Sequence, residues 1–320
     1  MPTLQQLIDR SKNTTVRNLN LLENRPAGLE IQTRLCDLGI LDPEFGGSDA
    51  KPFGPVRKAD GLFGSNSLTA IFEFCRLAGV SYVFDGQVSI DFLQALSTAT
   101  PETFAPVKFD PLPGDSPSTL LAKRILRRMR ARGHWIARSP NMYNIVYVEG
   151  MDATGTSFKD APNLWNDRRI VIRMQRDGQP EIIHNFDATT EPGFLERTKP
   201  HADGLARIAF GQYKSWKYGL HKAKQIALKQ SAPIRIYRDK DRNNMRPGDK
   251  VLVGIFGINQ HSTTERRSTV GDWCAGCLVG REWGEHLAFL NTVKSDVRYA
   301  LNGNYEFVSA VMPGNELAVV

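Results

Sequence analysis

Apolar residues fall at helical spacing three times in the first half of the chain. Ile31, Leu35 and Leu38 form a stripe that starts near Leu29 and stops at Gly39. Leu68, Ile71, Phe72, Phe74 and Cys75 form a second, ended by Gly79, and Ser65 or Ser67 stands where an N-cap belongs. Leu120, Leu121, Ile125, Leu126 and Met129 form a third, closed by Gly133. A shorter pattern, Leu4, Leu7 and Ile8, followed by Leu19, Leu21 and Leu22, predicts an amphipathic helix and linker over residues 1–25. From Asn144 the period changes. Short β-prone runs at 144–148, 169–174, 181–184, 206–210, 234–237, 251–258 and 305–311 are separated by turn signals such as Asp177-Gly178 and Pro247-Gly248-Asp249. Only one or two helices are predicted to interrupt them, near 215–229 and 282–297. The expected class is α+β. A helical unit spans 1–105, a stiff segment carrying Pro101, Pro106, Pro111, Pro113 and Pro117 leads into a basic helix (106–135), and a β-rich domain spans 136–320.

Charge and cysteine content narrow the reading. The chain has 320 residues, a length that suits two domains, with 41 Lys and Arg against 34 Asp and Glu and a formal charge of +7. That excess suits a polyanionic surface. Lys123, Arg124, Arg127, Arg128, Arg130 and Arg132 place much of it on the 120–132 helix, which is read either as a solvated face on a helix docked on the second domain or as a surface for anionic lipid or wall polymer. Nucleic acid is not an expected partner. No run approaches the roughly 20 apolar residues of a membrane helix. The N-terminus shows no secretory pattern, so synthesis in the cytoplasm is expected, with any action outside depending on release. Four cysteines are too few for a disulfide scaffold, and the close pair Cys274 and Cys277 asks for its own explanation.

Two resemblances supply one. Residues 31–43, IQTRLCDLGILDP, followed by DGLFGSNSLTAIFEFCRLAGV, resemble the three-helix peptidoglycan-binding module, whose core is D-G-x-F-G between two helices. The resemblance covers about residues 15–100, departs from the pattern in an insert over 43–58, and implies that Asp60, Gly61, Phe63 and Gly64 help hold stem peptide or glycan.

The second lies downstream. His261 precedes Cys277 by sixteen positions, with Gly257-Ile258-Asn259-Gln260-His261-Ser262 ahead of Cys274-Ala275-Gly276-Cys277-Leu278-Val279-Gly280-Arg281. A thiol attacks as thiolate and needs a base, and a glycine before it lets backbone N–H groups face a developing oxyanion. A histidine at a strand end, a loop, then S-x-G-C and an arginine is similar to the signature of YkuD-type L,D-transpeptidases. The resemblance extends more loosely over residues 140–315, including Thr189-Thr190-Glu191-Pro192-Gly193. It implies Cys277 as nucleophile, His261 as base, Gly276 and Ser262 as their catalytic neighbours, Arg281 and Cys274 as substrate contacts, and no cofactor. Cys274 stands where the family has Ser, and Arg281 follows the nucleophile by four positions rather than two.

Other readings of the same residues stay open at this level. Cys274 and Cys277 form a C-x-x-C, without the βαβ setting of a redox pair. His261, Cys274, Cys277 and His286 have the ligand chemistry of a zinc site. Both cysteines can also be small buried apolar residues. His134, His184, His201 and His221 show no mutual spacing, and no H-E-x-x-H, G-x-S-x-G or P-loop occurs. The expectation is a bacterial wall lysin of phage type acting on stem peptide through Cys277 and His261. A transpeptidase and a non-catalytic wall-binding or virion protein are the alternatives.

Overall fold

The computed structural model describes residues 18–20, 25–57, 59–81, 87–194, 202–241 and 245–318. The expected N-terminal helix over 1–25 falls mostly outside them, as does His201; its described part, Asn18–Asn20, is a strand (β1). No described helix is long and apolar enough to cross a membrane.

The chain is α+β, with four of its six described α-helices before residue 132 and its long strands after residue 142. Helices α1 (Arg25–Asp37), α2 (Ser65–Ala78) and α3 (Ile90–Thr98) bury Ile31, Leu35, Ile71, Phe74, Phe92 and Leu96 against one another. Between α1 and α2 lies a small hairpin of β2 (Glu44–Gly46) and β3 (Gly54–Arg57) within the 43–58 insert. Strand β1 pairs with β4 (Gln87–Ser89).

The β-rich part is a closed eight-stranded barrel built from β5 (Tyr143–Glu149), β6 (Asp167–Met174), β7 (Pro180–Thr189), β9 (Gly211–His221), β10 (Gln225–Gln230), β13 (Gln260–Ser262), β14 (Leu278–Gly280) and β15 (Phe307–Pro313). Strands β13 and β14 run parallel, as do β15 and β5; the other neighbours are antiparallel. A separate sheet holds β8 (Leu205–Ile208), β11 (Ile234–Asp239) and β12 (Lys250–Gly254). The core joins Tyr147, Val171, Tyr213, Trp216, Leu228 and Leu278 to Phe289, Leu290 and Val293 of α5 (Trp283–Lys294). After α5 comes the short α6 (Val297–Leu301).

The helix expected over 215–229 is instead the β9–β10 hairpin. Its sequence, SWKYGLHKAKQIALK, is rich in helix formers and has no Asn-Gly or Asp-Gly at its turn. Lys222 and Ala223 adopt φ of 49° and 57°, and the Lys224 N–H donates to the His221 carbonyl at 3.0 Å, so the turn is left-handed without glycine or asparagine. Burial of Tyr213 and Trp216 outweighs local preference here.

The basic helix is α4 (Pro117–Ala131), with Ser116 as cap. Its apolar side, Leu121, Ile125, Leu126 and Met129, covers Val146, Val148, Ile170, Ile172 and Met312 of the barrel. Its cations are largely used internally. Lys123 is fully buried on Asp115 at 2.7 Å, Arg128 and Arg132 converge on Glu316, Arg124 donates to the Gly155 carbonyl, and Arg130 lies over the Phe109 ring at 4.1 Å. The helix is thus docked on the barrel, and its charges, read as solvated, are in good part engaged within the protein.

The helical part and the barrel share buried polar contacts. Asp42 accepts from Arg298 Nη1 at 2.8 Å and from the Tyr305 hydroxyl at 2.7 Å, and its other ion pair is with Lys214 at 3.0 Å. Burial alone would raise the Asp42 pKa, but Lys214, Arg298 and Tyr305 together hold it below the usual carboxylate range. Asp42 therefore contributes stability above the unfolded carboxylate pKa of about 3.9 and loses it as pH falls through the lower folded value. Removing one partner of such a cluster leaves a buried charge uncompensated. Asp42→Ala should lower the unfolding free energy in urea by about 3–5 kcal/mol at pH 7. A loss under about 1 kcal/mol would show that these contacts carry little of the fold.

Candidate functional site

The parallel pairing of β13 and β14 sets the site. Gln260 lies opposite Leu278 and His261 opposite Val279, and the Leu278 N–H donates to the Asn259 carbonyl at 3.0 Å. Leu278 belongs to the barrel core, and Gln260 is tied inside by the Tyr147 hydroxyl at 3.3 Å and by donating to Ser309 Oγ at 2.9 Å. By strand alternation Asn259, His261, Cys277 and Val279 take the opposite face. His261 and Cys277 thus meet across two neighbouring strands.

Cys277 is half-buried, and its thiol donates to the Gly257 carbonyl at 3.5 Å. One ring nitrogen of His261, one of His221 and the Cys277 sulfur all lie within 4.8 Å of one another. His261 is buried, and its Nδ1 faces the Ser262 carbonyl at 3.1 Å. A carbonyl only accepts, so Nδ1 carries the ring proton and Nε2 carries the lone pair. That Nε2 is buried with no hydrogen-bond partner. Burial, then the neighbouring His221, push the His261 pKa down to about 3. Burial also pushes the Cys277 thiol up, against the Asn259 N–H and Lys222, which work to lower it. The resting pair is therefore neutral thiol and neutral imidazole.

The turn that carries Cys277 is braced from within. Cys274 is fully buried; its thiol donates to the Cys277 carbonyl at 3.0 Å and accepts from the Gly276 N–H at 3.3 Å. Cys274 is thus not placed to touch substrate as expected; it holds the turn as a serine hydroxyl would. The Gly276 N–H, expected to face an oxyanion, is spent on that sulfur. Gly276 itself has φ +126°, and a Cβ there would overlap the Ala206 carbonyl oxygen of β8, so only glycine fits. The Gly193 N–H donates to the Cys274 carbonyl at 2.9 Å, docking the segment after β7 onto the same turn.

The remaining expected residues have local partners. Ser262 serves His261 through its carbonyl, while its hydroxyl donates to the Thr263 carbonyl at 3.0 Å. Arg281 pairs with Asp187 at 3.1 Å and donates to the Arg267 carbonyl at 2.9 Å, so it is engaged rather than free for substrate. In the helical part, Asp60 Oδ1 accepts from the Leu62 N–H at 2.8 Å, and the Gly61 N–H donates to Gln32 Oε1 at 2.7 Å. Gly61 has φ +76°, Phe63 packs on the helical core, and Gly64, rather than Ser65 or Ser67, occupies the cap position of α2 without a side-chain bond. Asp60 and Gly64 also line a cavity of about 640 Å³ between the helices and the barrel, with Lys214, Asn302 and Glu306 on its far wall.

The zinc quartet considered from sequence does not assemble. Cys274 faces its own turn, and His286 accepts from Arg169 at Nδ1 (3.1 Å) and donates from Nε2 to the Ile226 carbonyl (3.0 Å). His221, which sequence reasoning set aside, is the residue that joins His261 and Cys277. It stacks on His261 with ring centroids 4.0 Å apart and planes 14° from parallel. His221, His261 and Cys277 have the donor types for a soft metal, and Asp160, Asp167 and Glu191 for a hard one. The acidic set lies with Glu149 around Arg207, which pairs at 3.0 Å with each of Glu149, Asp160 and Glu191.

Neither a protein-family model nor a curated protein matches the chain. Among solved structures the chain is similar to a fused Zn-dependent amidase/peptidase/peptidoglycan-binding domain-containing protein from Clostridium acetobutylicum. Identity is 16%, over 88% of this chain and 92% of that one, at a TM-score of 0.28, a likeness too slight to carry fold or function across.

Proposed function

We propose that the protein is a cysteine enzyme of the bacterial wall that cleaves peptide bonds of peptidoglycan, with Cys277 as nucleophile and His261 as base. The observation that carries the chemistry is the His261 ring, whose Nε2 is buried and unpartnered and which has a ring nitrogen within 4.8 Å of the half-buried Cys277 sulfur. The choice of peptidoglycan rests on the two sequence resemblances, the D-G-L-F-G segment and the His–loop–Gly–Cys order. In the first step His261 takes the thiol proton as Sγ bonds to a stem-peptide carbonyl carbon. The C–N bond then breaks, and the leaving amine takes the proton from His261. Water attacking the thioester, with its proton passing through His261, releases the acid and restores the thiol. An amine acceptor in place of water would make the same site a transpeptidase.

Digestion of purified sacculi with analysis of the released fragments tests this reading. The wild-type protein should release stem-peptide fragments, and Cys277→Ala should lose several orders of magnitude in rate while keeping its fold by circular dichroism. Full activity in folded Cys277→Ala would overturn it. The neutral resting pair also fixes the shape of the pH profile. His261 stays unprotonated down to about pH 3, so it imposes no acid limb near neutrality. Cleavage should therefore stay level from about pH 5 to 8, where neutral thiol and neutral imidazole are the reacting form. A rise that follows a single titration between about pH 6 and 8 would contradict the neutral pair.

A further inference from the structure

The neutral pair leaves a difficulty. A raised thiol and a depressed imidazole make proton transfer uphill, and the Gly276 N–H expected to help is bound to Cys274. A group that favours negative charge at the sulfur is needed, and the hydrogen bonds around His221 supply one.

Asn259 fixes the state of His221. The Gln230 backbone N–H donates to Asn259 Oδ1 at 2.8 Å, which orients the amide and turns Nδ2 toward His221. Asn259 Nδ2 lies 2.8 Å from His221 Nδ1 and can only donate, so Nδ1 carries the lone pair and Nε2 carries the proton. His261, stacked against it, has the opposite tautomer. The two rings flanking Cys277 therefore differ in kind: one offers a lone pair, the other an N–H. The charged groups facing them are Lys222 beside His221 and Arg169 behind His261, both cationic.

We propose that His221 is a third functional residue of this site: its Nε2–H is the hydrogen-bond donor that holds the Cys277 thiolate while His261 carries the proton. This rests on the Cys277–His261 reading and deepens it. One ring nitrogen of His221 lies within 4.8 Å of the Cys277 sulfur, near enough for a contact that closes when substrate is bound or charge develops. The same tautomer argues against metal. A His221 bound to metal through Nε2 would need its proton on Nδ1, pointing at the Asn259 amide hydrogens.

The rate of Cys277 alkylation by iodoacetamide across pH 6–10, in the full-length protein, tests the assignment without any substrate. Cys36, Cys75 and Cys274 are buried, so Cys277 dominates the reaction. His221→Phe keeps the ring stack but has no N–H. It should move the alkylation midpoint up by about one pH unit and slow the reaction at pH 8 about tenfold. His221→Gln restores a donor and should recover most of that loss. An unchanged midpoint in both variants, with His261→Ala still altering the profile, would overturn the role of His221 alone. Unchanged profiles in all three variants would overturn the Cys277–His261 pair as well. Stoichiometric zinc in the purified wild-type protein, lost in His221→Phe, would make His221 a ligand and overturn the donor role.

Discussion

Everything at the site follows from two strands that run parallel for three residues. The β13–β14 register puts His261 beside Val279, so Cys277, two residues earlier, shares its face of the barrel wall. A one-residue slip would turn either residue into the apolar interior that Leu278 and Gln260 now occupy. The register is held by groups with no part in the chemistry. Gln260 is clamped between Tyr147 and Ser309, Leu278 fills the core, and Gly276 lets the Cys277 turn pass under the Ala206 carbonyl. Beneath that turn, the segment after β7 leads down to the Glu149, Asp160 and Glu191 carboxylates gathered on Arg207.

Burial sets the reactivity in a particular direction. A buried imidazole resists protonation and a buried thiol resists ionisation, so His261 and Cys277 both rest uncharged. On the proposed mechanism such a pair is inert toward solvent and reacts when a bound carbonyl and a hydrogen-bond donor accept the developing charge. The hydrogen bonds of the two histidines, one to a carbonyl and one from an amide, make them complementary rather than redundant.

What could be read from the sequence was local. The three N-terminal helical stripes, most of the strands, and the Cys277–His261 pair all show as short-range patterns, because a helix face, a pleat or one loop between two strands leaves its mark within about twenty residues. His221 left none. It sits at the end of β9, brought to the site by a hairpin whose turn residues, Lys222 and Ala223, give no turn signal, in a segment whose composition favours helix. Misreading that hairpin hid the residue. Cys274 and Arg281 were visible but misassigned, since their partners, a backbone turn and Asp187, are set by tertiary packing. Asp42 is buried between Arg298, Tyr305 and Lys214, partners so far away in sequence that no local pattern points to them.

The central claim is that Cys277 becomes acylated by a stem peptide. Intact-protein mass spectrometry after rapid acid quench, with a synthetic stem tetrapeptide or a purified muropeptide as donor, reads this directly. The account predicts an adduct equal to the donor acyl group, located on Cys277 by peptide mapping, released by hydroxylamine and missing in Cys277→Ala. Turnover of the donor by the wild-type protein with no adduct at any quench time, or an adduct mapped to another residue, would contradict it.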